Sequence, residues 1–300
     1  FNGVGTAPAA NTGINQGIPF VLFAAFQLKF AIITPALITG SFAERVRFWS
    51  YIIFIVLWSI LIYAPLAHWA WHPEGFLFKM GVLDFAGGTV VHISAGIAAL
   101  IGARVLGRRK THIEGQSHAV LYTPYVILGT GLLWFGWFGF NGGSALAANG
   151  QAVTAFVNTN LASAAAAIAW ILVDTMRGRK PSALGACIGA VVGLVAITPA
   201  CGYINFGPSM LIGAVAATVS NYAVVRKSRT SLDDTLDVFP CHGIGGIVGM
   251  LMTAIFATEA FGGVIATGSP KLLISHLIAL VIVVAYTGVG SWLVYKLTNL

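Results

Sequence analysis

Two histidines stand inside otherwise apolar stretches: His92 in DFAGGTVVHISAGIAAL and His242 in DVFPCHGIGGIVG. A neutral imidazole offers one N–H donor and one bare nitrogen. Two placed side by side can therefore satisfy each other, line a path for a small polar molecule and pass a proton along it. Each histidine also has a plainer reading, as a packed residue bonded to a backbone carbonyl. Asp84 stands eight residues before His92, and Asp237 five before His242. Both carboxylates read first as N-caps of the helices they precede, with an electrostatic role toward a pore as the second reading.

The other constellation is aromatic. Trp71 lies in HWAWHPEG, where an interfacial tryptophan is an equally open reading. The segment LLWFGWFGFNGGS ends in Phe140, Asn141 and Ser144 at a glycine-rich helix end, which lipid anchoring does not explain. An aromatic face beside a hydroxyl suits a small cation, through cation–π attraction and a hydrogen bond.

The elements that must hold these groups belong to a membrane. The chain is 57% hydrophobic and only 8% charged, with a mean hydropathy of +0.86, so lipid is the solvent for most of its surface. Thirty-six glycines suit helices that approach closely in a bilayer. Segments 51–67 and 272–295 are apolar on nearly every face, unlike the alternating strands of a barrel. Apolar runs predict nine transmembrane helices, at 18–40, 48–68, 87–106, 120–140, 152–173, 183–200, 208–225, 239–257 and 272–295. His92 then lies about 12 Å into its helix, near the midplane of a core roughly 30 Å thick.

The net charge of +7 marks topology rather than nucleic-acid binding, because the basic residues form no patch interleaved with stacking aromatics. Arg45, Arg47, Arg104, Arg108, Arg109, Lys110, Arg177, Arg179, Lys180, Arg226, Lys227, Arg229 and Lys296 follow odd-numbered spans, whereas Lys79 and Lys271 follow even ones and Lys29 lies within a span. The positive-inside bias therefore predicts a multi-pass plasma-membrane protein whose C-terminal end is cytoplasmic and whose residue 1 is outside. Phe1 to Gln16 reads as a loop before the first span. An odd number of helices with an outside start implies that helices are missing from the front. The helices bearing His92 and His242 run in opposite directions, as in an inverted repeat that builds its site at the midplane. Cys187, Cys201 and Cys241 lack metal or redox spacing and read as packing thiols, and no metal or other cofactor is expected.

DFAGGTVVHISAGIAAL, WFGFNGGS, FVNTNLA, RGRKPSALGACIGAVVGLVAITPACGY and DVFPCHGIGGIVG closely resemble the signature stretches of the ammonium transporter family, in order and across the whole chain. The resemblance implies an all-α polytopic fold of eleven helices, two inverted five-helix repeats plus one, assembled as a homotrimer with a pore in each subunit. Residues 1–300 resemble helices three to eleven, so the domain is expected to be incomplete, without the first two helices and the cytoplasmic C-terminal tail.

Carried over by position, Trp71, Phe140, Ser144 and Asp84 resemble the ammonium-recruitment site, and Phe30 with Phe140 the phenylalanine gate. His92 and His242 resemble the twin histidines of the pore. Phe26, Gln27, Tyr63, Thr198 and Asp237 match supporting positions. One extra residue between Trp71 and Asp84 lets His72 or Trp69 compete for the tryptophan's place. Lys29 beside Phe30 departs from the pattern and must snorkel outward, face another subunit or alter cation entry. The implied activity is recruitment of ammonium, its deprotonation, and conduction of ammonia past the histidines, with or without a relayed proton.

An ammonium sensor on the same fold is the alternative function, and Rh-type carriage of ammonia or carbon dioxide a variant within the family. An intramembrane hydrolase has no HExxH or Gly-x-Ser-x-Gly element to support it, and no enzyme is expected. The basic stretch from Arg104 to Lys110 is a candidate dock for a cytosolic nitrogen-regulatory signal protein, although topology explains its charge equally well.

Overall fold

The computed structural model describes residues 18–115 and 122–298. The expected loop from Phe1 to Gln16 and the start of the span at 120–140 lie outside the described residues. Nine long helical segments follow in order. They are α1 (Phe20–Ile38), α2 (Phe48–Trp58) running on through a π-helical turn into α3 (Ala64–Trp71), and α5 (Ser94–Leu106) after the short α4 (Phe76–Lys79). After the short α6 (Lys110–Ile113) come α7 (Thr123–Gly143), α8 (Gly150–Met176), α9 (Ala183–Ile197) and α10 (Phe206–Ser228). The last are α11 (Gly245–Phe256) and, past the short α12 (Val264–Thr267), α13 (Lys271–Thr298).

Seven of these, counted among the described residues, are long and apolar enough to cross a membrane. The exceptions are α7 and α9. At 15 residues, α9 spans only about 22 Å, and α7 spends much of its length on glycine, tryptophan and Asn141 rather than aliphatic residues. Both pack against α8, which covers what they cannot present to lipid. That packing uses small side chains: Ala155, Ala162 and Ala166 of α8 are buried with Ala196, Ala216 and Ala217 of α9 and α10, the close approach expected where lipid removes the hydrophobic drive. Large apolar residues such as Trp49 (74% exposed), Phe135 (78%) and Val281 (69%) face outward instead.

At one end of the bundle the loops after α1, α5 and α10 are knotted by charge. Arg109 grips Asp233 through Nε at 3.0 Å and Nη2 at 2.9 Å, with its own backbone N–H at 2.8 Å. Arg45 reaches Asp233 at 3.7 Å and donates to the carbonyls of Ser41, Gly107 and Asp233. Burial raises the Asp233 pKa, but the Arg109 hydrogen bonds and the two guanidinium charges outweigh it and hold the carboxyl down at about 2. Within the candidate dock from Arg104 to Lys110, Arg109 is thus turned inward, and Arg108 bonds to His112. The opposite end carries Trp71, Asp84, Ser144 and Tyr203 around a vestibule.

Two further π-helical turns interrupt the bundle where the sequence placed its histidines. Gly88–Ile93 leads into α5 and contains His92, and Phe239–Ile244 leads into α11 and contains His242. Such widened turns concentrate at functional sites. The two segments cross reciprocally, each π turn lying against the helix that follows the other.

Candidate functional site

The vestibule is a cavity of about 550 Å³. Phe23, Phe26, Gln27 and Phe30 line it from α1, Trp71 from α3, and Ser144 from the end of α7, with Asp84 and Tyr203 among the other walls. Lys29 is not in the lining. It lies exposed on α1. The three residues that compete for the tryptophan's place stand apart: Trp71 and His72 line the cavity and Trp69 does not. Trp69 packs on Phe76 and Tyr286, His72 sits on the rim accepting the Glu74 N–H, and Trp71 meets the floor.

That floor is aromatic and closed. Phe30 is 1% exposed. Its ring stands edge-on to Trp71 at 5.5 Å and to Phe26 at 5.0 Å, and lies against Phe140 at 4.3 Å between centroids. The Trp71 Nε1–H is spent on the Asp84 carbonyl at 2.8 Å, so the indole has no free donor to offer the cavity that it lines. Ser144 Oγ donates to the Phe140 carbonyl at 2.8 Å, which leaves its oxygen lone pairs as acceptors.

Behind Phe140 lie the histidines. The Phe140 and His92 ring centroids are 6.2 Å apart, and His92 stacks on Trp137 at 5.3 Å and 19°. Nδ1 of His92 is 3.2 Å from Nδ1 of His242, and Nε2 of His92 is buried without a partner among the described residues. Trp137 is held by donating Nε1–H to Thr198 Oγ1 at 3.0 Å, and Thr198 in turn donates to the Leu194 carbonyl. Thr198 thus holds the indole that stacks on His92. Tyr63 is buried in the core cluster that includes Phe30 and Val91, at the end of its π turn and away from the vestibule.

The carboxylates differ from expectation on one side. Asp84 does cap: Oδ1 accepts Gly87 and Gly88 N–H at 2.8 and 2.5 Å, and Oδ2 accepts Thr89 N–H at 2.8 Å, with the Thr89 hydroxyl beside it. Those bonds occupy both oxygens, so any action on a cation in the vestibule is through charge at a distance. Asp237 does not cap. Asp234 takes that place, accepting Val238 and Phe239 N–H at 3.1 and 2.8 Å. Asp237 sits in the left-handed region with φ 57°, and its carboxylate pairs with Lys227 at 2.7 Å. The left-handed turn points its side chain back toward α10, leaving the helix start to the carboxylate three residues earlier.

The cap at Asp234 makes the two halves correspond more closely than the spacing from Asp237 suggests. Asp84 precedes His92 by eight residues and Asp234 precedes His242 by eight. Four residues after each histidine comes a glycine. A Cβ on Gly96 would overlap the Gly243 backbone, and one on Gly246 would press on Ile93, the Gly88 carbonyl and the His92 side chain. Each histidine's own helix thus lends a bare backbone to the other's turn, and this crossing brings the rings together. The repeated Asp-x7-His-x3-Gly pattern was the available signal for Asp234, Gly96 and Gly246. Trp137 stood in the quoted aromatic segment without a role.

Comparison with known proteins bears on this arrangement. A family model described as the Ammonium Transporter Family matches residues 3–300. The ammonium transporter of Aquifex aeolicus (strain VF5) is 47% identical over 283 residues, covering 93% of this chain and 66% of that protein. The ammonium transporter of Bacillus subtilis (strain 168) is 43% identical, covering 100% of this chain and 74% of that protein. Among solved structures, the G343C mutant of Candida albicans Mep2 matches with a TM-score of 0.89 at 36% identity, over 95% of this chain and 65% of that one. A Sensor Amt Protein matches with a TM-score of 0.86 at 29% identity, over 97% of this chain and 75% of that one. The chain spans about two thirds of the length of the Aquifex relative.

Proposed function

We propose, since this chain belongs to the ammonium transporter family, that it carries a path along which ammonium is recruited, deprotonated and passed through a membrane as ammonia. The observation that carries the reading is the unbroken order from vestibule to phenylalanine pair to histidine pair, with Phe140 against Phe30 on one side and near His92 on the other.

Ammonium and potassium are cations of similar size, so a wet pore separates them poorly. A dry pore discriminates because only ammonium can leave its charge behind. Burying an intact ion costs tens of kcal/mol in the Born limit, whereas cation–π contacts return only about 0.5–2 kcal/mol. In this reading the Trp71 and Phe140 faces and Ser144 Oγ select the cation, which gives up a proton at the Phe30–Phe140 constriction. Ammonia then crosses with its N–H groups and lone pair matched in turn by His92 and His242. If the proton follows through the histidines the flux carries current, and if it stays behind the flux is neutral.

By the positive-inside bias, the knotted basic end is the cytoplasmic one and the vestibule opens outward. The exposed apolar faces of α7 and α8 supply surface for a homotrimer or lipid. The likeness to a Sensor Amt Protein favours a second reading, in which the same path reports ammonium rather than conducting it.

Current and internal pH in proteoliposomes holding the full-length protein, after an ammonium and then a potassium pulse, test both. Ammonium-specific current supports proton-coupled conduction, and internal alkalinisation without current supports neutral ammonia flux. Correctly folded protein silent in both signals rejects conduction and leaves the sensor.

A further inference from the structure

We propose that His276, on α13 and outside the pore, is a positioning residue for ammonium entry, anchoring the Val82–Leu83 peptide just before the Asp84 carbonyl that holds Trp71. The inference rests on the reading of Trp71 as the entry site. His276 is 0% exposed, and both ring nitrogens are engaged. Nε2 accepts the Leu83 N–H at 3.0 Å, and Nδ1 lies 2.8 Å from the Met250 carbonyl, to which only an N–H can bond. The ring is therefore the Nδ1–H tautomer, with no nitrogen left to relay a proton.

What it holds is the wall of the vestibule. Leu83 and Asp84 both line the cavity, which His276 does not. The Asp84 carbonyl is the acceptor that fixes the Trp71 indole, and the Asp84 carboxylate caps the turn that carries His92. Met250 belongs to α11, two turns beyond His242, with its sulfur against Gly88. One imidazole thus ties the vestibule wall of one half to the helix of the other. A hydrocarbon in its place removes the acceptor of the Leu83 N–H, and the segment that presents the Asp84 carbonyl to Trp71 loses one of its anchors.

The experiment compares His276→Leu, His276→Gln and Trp71→Leu in the full-length protein, reading apparent KM and maximal flux of ammonium in proteoliposomes and hydrogen exchange at the Leu83 amide. His276→Leu is expected to raise apparent KM about tenfold while maximal flux stays within about twofold, and to speed Leu83 exchange. His276→Gln, which retains a donor and an acceptor, restores both. Unchanged Leu83 exchange in a folded His276→Leu protein overturns the proposal. So does faster exchange with unchanged KM where Trp71→Leu raises KM. If Trp71→Leu also leaves KM unchanged, it is the entry-site reading that fails. Should His276→Leu not assemble, His276→Asn, too short to span both groups, is expected to give the same two changes.

Discussion

His92 and His242 meet through like atoms, Nδ1 to Nδ1 at 3.2 Å. Two bare nitrogens would repel, and two N–H groups would collide. With both rings neutral, one is the Nδ1–H tautomer and the other the Nε2–H tautomer, so the pair presents one bare Nε2 and one Nε2–H. Side-chain 15N spectra of the labelled protein at neutral pH are expected to show one of each. Two identical tautomers would contradict the contact.

Removing either ring leaves the other's Nδ1 buried and unpaired, a penalty of about 1–3 kcal/mol. His92→Ala and His242→Ala are each expected to lower ammonium flux by tenfold or more. Because the rings act as a pair, the double variant should lose little beyond either single one. A double-mutant cycle on flux checks this, and additive losses would argue for two independent roles.

Asp234 and Asp84 cap equivalent turns, whereas Asp237 serves an ion pair. Asp84→Ala and Asp234→Ala should each destabilise the detergent-solubilised protein by about 1–2 kcal/mol. Asp237→Ala, at a pair whose side chains are 14% and 23% exposed but which holds no helix start, should cost about 1 kcal/mol or less. Thermal unfolding ranks the three, and an Asp237 effect as large as that of Asp234 would reverse the assignment.

Gly96→Ala must push its helix off the Gly243 backbone and is expected to cost about 1–3 kcal/mol or more, with reduced flux. Gly139→Ala on α7 meets nothing within 4 Å and should be neutral or stabilising by up to about 1 kcal/mol. Equal behaviour of the two variants would remove the case for the close crossing.

Asp233 titrates at about 2 in the folded protein against an ordinary 3.8. A depressed carboxylate contributes stability that is fully present above its unfolded value and is lost as pH falls through its folded one. Unfolding temperature should therefore drop between pH 4 and pH 2, and Asp233→Asn should flatten that drop while lowering stability at neutral pH. A wild-type acid profile unaltered in Asp233→Asn would show that the knot is not what titrates.

Much of this was legible in advance, because a membrane helix announces itself as a long apolar run and an embedded histidine has few reasons to be there. Seven of the helices are runs of that kind among the described residues, whereas the pairing of His92 with His242 was read from the opposite directions of their helices and from the family resemblance. The cap at Asp234 did not, because local backbone geometry decides which of several nearby carboxylates reaches a helix start. The left-handed φ at Asp237 is invisible in a list of residue types. His276 gave no signal either: it lies in an apolar helix, and its two partners are backbone groups 193 and 26 residues away.

The crossing at Gly96 is backbone against backbone, with no side chain available to rotate. A contact of that kind has no soft coordinate, so the gap between the two imidazoles behaves as a fixed gauge rather than a hinge. In the proposed path the guest would have to shed its water to suit the slot, because the slot does not widen to suit the guest.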